Sequence, residues 1–295
     1  MLDQEDFKPV RLEDRAFFEN HYAFYPQVHS SNMFTNMVCW NHFAHYRYTY
    51  VNGNVIISST IRGVTRFHSP IGPRDSTLMH ALVRLALDVG DDTPLVYIDP
   101  DTAQWLQKID PNLMLVPDRN HFDYVYKATD LAELPGKNYV KIRSHIRKFW
   151  NNYSHKVENI TARDREKIMS FLAKWRDWKG CENDSFLAYE IEAAAYAIEH
   201  LAELSLKGRL IWVNSQVGAI SIFERLNADT AVVHFEKGLP DYEGIYKAIS
   251  KDTAMVLAGE VKYINRESDL GVAGLREAKI RYHPHHMVKV YSLKR

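Results

Sequence analysis

Residues 209–226, RLIWVNSQVGAISIFERL, read as strand, turn, strand, and residues 230–237, TAVVHFEK, follow as a third strand. Beyond them IYKAISKDTAMVLAG (245–259) has a helical period with Ile245, Ile249 and Val256 on one face. VKYIN (261–265) is a strand, GLREAKIRY (274–282) a short helix and MVKVYSL (287–293) a closing strand. The same order occurs earlier in the chain. YRYTYVNGNVIISSTI (46–61) is a hairpin about Asn52-Gly53, a pair that accepts positive φ, and a short strand over 66–71 follows. DSTLMHALVRLALDVG (75–90) is a helix with both ends marked, LVYID (95–99) a strand, TAQWLQKI (102–109) a helix and LMLV (113–116) a strand. An offset of about 160 residues between the two series indicates a duplicated domain, since solenoid repeats are shorter.

Two further helices precede the second hairpin. One carries Ile168, Phe171, Leu172, Trp175 and Trp178 in register, the other Leu187, Ile191, Ala194, Ile198 and Leu201. Between the halves, Tyr139, Ile142, Ile146 and Phe149 form one apolar stripe, so the connection is an amphipathic helix. The expected architecture is α+β: two tandem domains, each a mixed, mostly antiparallel sheet flanked by helices. Their expected boundaries are 1–135 and 151–295, joined by a helix over 136–150.

The composition is that of a soluble globular chain, with 46% hydrophobic, 25% charged and 12% aromatic residues among 295. No run approaches the ~18 apolar residues of a spanning helix. The start, MLDQEDFKPV, lacks the basic and apolar regions of a secretory signal, which places the chain in the cytoplasm. Lys plus Arg equals Asp plus Glu at 37 each, so any basic surface is local. Cys39 and Cys181 stand far apart and read as reduced, partly buried thiols. His283, His285 and His286 have no ligand-type spacing, and no metal site is expected. Oligomeric state is not legible.

The element order is that of the GNAT acyltransferase fold, and three segments narrow the resemblance. LPGKNYVKIRSHIRKFW (134–150), VVHFEKGLPDYEGIYKAI (232–249) and YINRESDLGVAGLREAKIRYHP (263–284) resemble the lysylphosphatidylglycerol synthetase C-terminal-domain family, the third most specifically. That family is similar to two fused GNAT domains, as are the Fem peptidyl transferases. The resemblance implies an acyltransferase that moves an aminoacyl group from aminoacyl-tRNA to an amine or hydroxyl acceptor, a phosphatidylglycerol-type lipid headgroup among them. Its best understood members carry a long membrane-spanning N-terminal region; in length this sequence is similar to the soluble stand-alone members.

The residues carry their own expectations. GNAT acetyltransferases bind the coenzyme A pyrophosphate on a glycine-rich loop at a helix N-terminus. The corresponding stretch here, Lys237 to Gly244, contains Pro240, Asp241 and Glu243, and 69–77, with Pro70, Gly72 and Pro73, also departs from the motif. Acetyl-CoA is therefore not favoured, and no cofactor is expected. Alternation on TAVVHFEK puts His234 and Glu236 on one face, where either could accept a proton in acyl transfer; a solvent-facing polar pair is the alternative. Lys237 could meet an anionic substrate. Gly244 permits a close approach and Tyr246 sits in the first turn of the following helix. Lys137, Lys141, Arg143, Arg147 and Lys148 make a basic face able to hold phosphates, or simply a solvated one. Asn265, Arg266 and Glu267 leave a strand end, the usual place for ligand contacts, followed by Asp269 in a turn. In the last helix Leu275, Ala278 and Tyr282 are expected inward, Arg276, Lys279 and His283 share another stripe, and Arg276, Lys279 and Tyr282 are the candidate substrate contacts. Two competing functions remain: a CoA-dependent N-acyltransferase, and a non-catalytic ligand-binding protein with a GNAT-like cleft.

Overall fold

A computed structural model describes residues 2–180 and 185–295. Cys39 is buried as a thiol, and Cys181 lies outside the described residues. In chain order the elements are β1 (Lys8–Pro9), α1 (Arg15–Phe24), α2 (Phe34–Cys39), α3 (Asn41–Ala44), β2 (Arg47–Val51), β3 (Asn54–Ile61), β4 (Val64–His68), α4 (Ser76–Val89), β5 (Leu95–Ile98), α5 (Pro100–Ile109) and β6 (Met114–Pro117). Then come β7 (Asp123–Lys127), α6 (Ala128–Glu133), α7 (Val140–Asn152), β8 (His155–Asn159), α8 (Arg165–Lys179), α9 (Ser185–Glu199), β9 (Lys207–Val213), β10 (Gln216–Arg225) and β11 (Thr230–Gly238). The chain ends with α10 (Ile245–Leu257), β12 (Tyr263–Asn265), α11 (Ala273–Ile280), β13 (His286–Val288) and β14 (Tyr291–Lys294).

Two compact units form: Met1–Asp123 with Ser268–Ala273 and Val288–Arg295, and Tyr124–Glu267 with Gly274–Met287. Each contains a seven-stranded mixed sheet. The first sheet has the order β1-β2-β3-β4-β5-β14-β6, the second β13-β7-β12-β11-β10-β9-β8. In each, a three-stranded antiparallel meander leads through one helix to a parallel neighbour: β4 beside β5, and β11 beside β12. This is the GNAT order read from the sequence, present twice.

The boundaries differ from the sequence expectation for a topological reason. Each sheet takes one strand from the far half of the chain, β14 in the first and β7 in the second. The stretch MVKVYSL, read as one closing strand, is divided between β13 and β14 and contributes to both sheets. Helix α7 is not a free connector. Its stripe Tyr139, Ile142, Ile146 and Phe149 is buried, and Phe149 packs with Ile211, Ile245 and Ile249 of the second unit. Burying side chains of this size contributes roughly 1.5–3 kcal/mol each, enough to hold the helix in place.

Local chemistry explains the hairpins. Asn52 and Gly53 take φ of 50° and 77°, the two positive values a type I′ turn demands. The Asp75 carboxylate accepts from Leu78 N at 2.9 Å and starts α4, whose Leu78, Met79, Leu82 and Ala86 join Ile56, Phe67 and Leu95 in the first core. In the second unit α8 buries Ile168, Phe171, Leu172 and Trp175, leaving Trp178 exposed. No helix among the described residues is long and apolar enough to cross a membrane.

Candidate functional site

Strands β11 and β12 pair only from Thr230–Tyr263 to Val232–Asn265. Beyond Val232 they part: β11 runs on to Gly238, while the chain after Asn265 is held by β7, with Arg266 N donating to Tyr124 O at 2.9 Å. Parted carboxyl ends of parallel strands are where open sheets place ligands. His234 and Glu236 of β11, and Arg266 and Glu267 after β12, all lie at this parting.

They do not share one face. The β10–β11 register shifts between Ile222 and Phe223, which pair with Phe235 and Val233, so His234 is an extra, bulged residue. The bulge reverses the alternation. Val233 packs with Ala254 of α10, Glu236 bonds Ser250 of the same helix, and His234 turns instead to Glu224 and Glu267. The expectation of a common face fails because alternation counts residues and cannot see a bulge.

His234 Nδ1 lies 2.9 Å from Glu267 Oε1 and Nε2 lies 2.8 Å from Glu224 Oε1. Burial of the imidazole pulls its pKa down, but the two carboxylates outweigh burial and push it up to about 9. At neutral pH both nitrogens carry protons, so His234 bridges two carboxylates and has no lone pair for an incoming proton.

Glu236 belongs to a second cluster. Its carboxylate accepts from an Arg266 terminal nitrogen at 2.8 Å, with the two side chains 14% and 17% exposed. The guanidinium stands over the Tyr282 ring, 4.9 Å from its centroid, and 5.9 Å from that of Tyr126. Burial pushes the Glu236 carboxyl above its ordinary range, while Arg266 and Lys279 pull it back. Burial likewise pushes the Tyr282 hydroxyl up to about 12, so it remains a proton donor beside Ser250 and Arg266.

The other sequence candidates are placed as follows. Lys237 is buried, paired with Glu190 at 2.9 Å, and its ammonium stands 4.0 Å from the Trp175 ring centroid. Trp175 Nε1 donates to the Tyr246 hydroxyl at 2.7 Å. Asn265 is buried and its Oδ1 accepts from Glu267 N at 2.7 Å, which supports the left-handed φ of 58° at Glu267. Asp269 does not belong to this unit; it lies buried in the first, where it accepts from Arg119 at 3.0 Å and from Gly271 N at 2.9 Å.

Helix α11 departs from the expected orientation in part: Tyr282, just past its end, packs inward as expected and His283 is exposed. Leu275 is 38% exposed and Ala278 is exposed, whereas Arg276 and Lys279 are half-buried. Lys279 Nζ donates to Arg266 O and, at 3.1 Å, to Glu267 O. A lysine that satisfies two strand-end carbonyls turns its face inward despite its charge. The basic face of α7 is divided as well: Lys137, Lys141, Arg147 and Lys148 are exposed, but Arg143 donates to Leu134 O and, at 2.7 Å, to Gly136 O. Lys148 meets Glu243 at 3.2 Å.

Gly244 serves packing. A Cβ there would stand 2.2 Å from the His145 carbonyl oxygen, and φ is 91°. Helix α7 thus presses backbone to backbone against the start of α10, where a pyrophosphate would sit in a CoA enzyme. Gly244→Ala is expected to cost about 2 kcal/mol or more, since neither backbone can yield; urea denaturation measures it, and an unchanged midpoint would show a loose contact.

Sequence reasoning missed Glu224, Ser250, Tyr126 and Glu190. Tyr126 was available from the alternation in HFDYVYK (121–127), which marks β7. Ser250 sits in the buried face of α10 beside Ala254 and Leu257. Glu224 depends on strand register, which no local pattern contains. Among the described residues no group of three or more His, Cys, Asp or Glu side chains could hold a metal ion. A 500 Å³ surface cavity in the second unit is lined by Lys167, Trp212 and Asp164 and includes none of the site residues.

Comparison with known proteins finds the same fold elsewhere. A conserved protein of unknown function from Bacteroides thetaiotaomicron is 26% identical, with 98% of this chain and 99% of that one covered and a TM-score of 0.88. The structure of L-PGS from Bacillus licheniformis is similar in fold, at 11% identity over 98% of this chain and 93% of that one, with a TM-score of 0.64. The C-terminal domain of a putative lysylphosphatidylglycerol synthetase from Agrobacterium fabrum is 14% identical over 95% and 92%, with a TM-score of 0.63. Family and fold together are those of a GNAT-type acyltransferase. Residues 22–294 match the family described as phosphatidylglycerol lysyltransferase, C-terminal, and the chain belongs to that family.

Proposed function

We propose that the second unit transfers an aminoacyl group from aminoacyl-tRNA to an amine or hydroxyl acceptor at the parting of β11 and β12. The observation that carries this reading is the buried Glu236–Arg266 pair, flanked by Tyr282 and Ser250, at that strand end. A carboxylate whose pKa is raised by burial is a stronger proton acceptor than an ordinary one. In the reaction the acceptor nitrogen or oxygen attacks the ester carbonyl carbon, and the new C–N or C–O bond forms. The acceptor's proton passes to Glu236, the bond to the tRNA ribose oxygen breaks, and that oxygen takes the proton. Arg266 and the Tyr282 hydroxyl offer positive charge and a donor to the carbonyl oxygen as it becomes negative. His234 acts through Glu267 and Glu224 as a positioning residue.

A donor other than coenzyme A is supported by the His145 carbonyl against Gly244 and by Pro240, Asp241 and Glu243 in the loop before α10. The exposed Lys141, Arg147 and Lys148 of α7 are the proposed contacts for tRNA phosphates.

The family description makes lysyl-tRNA and phosphatidylglycerol vesicles the first pair to test, with a soluble amine as second acceptor. Transfer of labelled lysine is expected from the parent protein. Glu236→Gln, which keeps shape and an acceptor oxygen but neither charge nor basicity, is expected to lower it by about 100-fold or more and also to lower the melting temperature, since the buried Arg266 loses its counter-charge. Retained transfer in that variant would remove Glu236 from the mechanism. Absence of tRNA binding at low salt, where the electrostatic contribution is largest, would defeat the donor assignment.

A further inference from the structure

The first unit contains a cavity of about 700 Å³, within the range of small-molecule sites. Its lining includes four cations, Arg62, Arg66, Arg119 and Lys294, and one carboxylate, Asp118. Asp118 is already engaged by His121 at 3.0 Å and by the Ser292 hydroxyl at 3.1 Å. Arg66 is held by Asp91 through two bonds of 2.6 and 3.3 Å, Arg119 by Asp269, and Lys294 donates to the Thr93 hydroxyl at 3.2 Å. A guanidinium has five N–H donors, so one carboxylate fixes its orientation without exhausting it.

Two lining residues occupy backbone conformations that their side chains disfavour. Arg62 and Gly63 form the β3–β4 turn with φ of 51° and 79°. The β2–β3 and β9–β10 turns also take positive φ at both central residues but begin with Asn52 and Asn214, the residue type that this position favours. An arginine at the third turn is a worse choice for the hairpin, and its side chain lines the cavity. Tyr97, a bulky aromatic at φ 54° inside β5, also lines it, with its ring packed against His29, His68 and His121 at centroid distances of 5.5, 4.8 and 5.5 Å. Strain of this kind persists where the surroundings over-determine it, and it gathers at binding sites.

We propose that this cavity is a binding site for a small dianion, a phosphate ester or a dicarboxylate, with Arg62 as its specificity-determining contact. The site belongs to the first unit and stands independently of transfer chemistry in the second. Bidentate geometry with arginine suits both ligand chemistries.

Titration calorimetry of the full chain with inorganic phosphate, glucose 6-phosphate and succinate tests it. At least one of the three is expected to bind the parent protein, and which of them binds distinguishes the phosphate source from the carboxylate one. Arg62→Asn is expected to weaken that binding by about tenfold or more, while the melting temperature stays level or rises, since asparagine suits the turn. Lys108→Asn removes the same charge from the exposed face of α5, outside the cavity; it is expected to change affinity by no more than about twofold. The proposal is overturned if none of the three anions binds, if Arg62→Asn binds as the parent does, or if the Lys108 variant loses as much.

Discussion

Arg266→Ala is expected to lower the stability of the second unit by about 3 kcal/mol, in addition to abolishing transfer. Read in the sequence, Arg266 sits in a charged segment after a short strand, where alanine would remove ligand contacts and leave the melting temperature almost unchanged. The structure changes that expectation. The guanidinium is 17% exposed, bonded at 2.8 Å to a carboxylate that is 14% exposed, and laid over the Tyr282 ring. Removing it leaves Glu236 with most of its desolvation and without its bonded counter-charge, a situation that commonly costs about 3–5 kcal/mol. Part of this is recovered if Glu236 takes a proton, which burial already favours. The expected loss therefore lies toward the lower end, and it should lessen in acid. Urea denaturation of the parent, Arg266→Ala, Glu236→Leu and the double variant measures the coupling. Removal of both charges is expected to cost less than the sum of the two single changes, because neither partner is then stranded. A melting temperature within about 1 °C of the parent for Arg266→Ala would return the residue to an exposed loop and remove the pair from the proposed mechanism.

The contrast shows which kinds of information lie along a chain. Meander, helix and parallel strand were legible twice because each rests on a local period or turn chemistry: Asn52-Gly53, the Asp75 cap, the stripe of α7. The exchange of β7 and β14 between the sheets was not, since a strand's sequence states that it will pair and not with which edge. The candidate site was legible to the same degree. Arg266 and Glu267 were read from the strand-end position, Glu236 from alternation along its strand and Lys279 from a helical stripe, with the family resemblance beside them. Their pairing was hidden by one bulged residue at His234, which reverses the alternation, and by α11, which turns Lys279 toward two carbonyls and Leu275 toward solvent. A hydrophobic stripe is a sound guide to an inward face only where the neighbouring backbone is already satisfied.

His234 supplies the second large effect, and it has a defined direction in pH. The side chain is fully buried between Glu224 and Glu267, and its pKa of about 9 stands above the ordinary 6.5. A group whose pKa is raised by folding stabilises the fold in its protonated form. That stabilisation is complete below about pH 6.5 and fades as the pH rises through about 9, where the folded protein also loses the proton. The difference between 6.5 and 9 corresponds to about 3 kcal/mol. Stability of the parent relative to His234→Gln is accordingly expected to be constant near pH 6 and to shrink by about that amount by pH 10. The variant keeps the size of the side chain, but it cannot neutralise two carboxylates, so it also reports their mutual repulsion at every pH. In the proposed transfer reaction the same proton sets the expected pH dependence. An imidazolium that persists to about pH 9 produces no acid limb near 6.5 in the rate profile, whereas an imidazole acting as proton acceptor would produce one. A measured limb near 6.5 that vanishes in His234→Gln would make the histidine the base and Glu236 a bystander. A rate that holds to about pH 8 and then falls, with a stability that declines from about pH 6.5 to about pH 9, would place His234 where the geometry has it, as the cation that keeps Glu267 at the strand end.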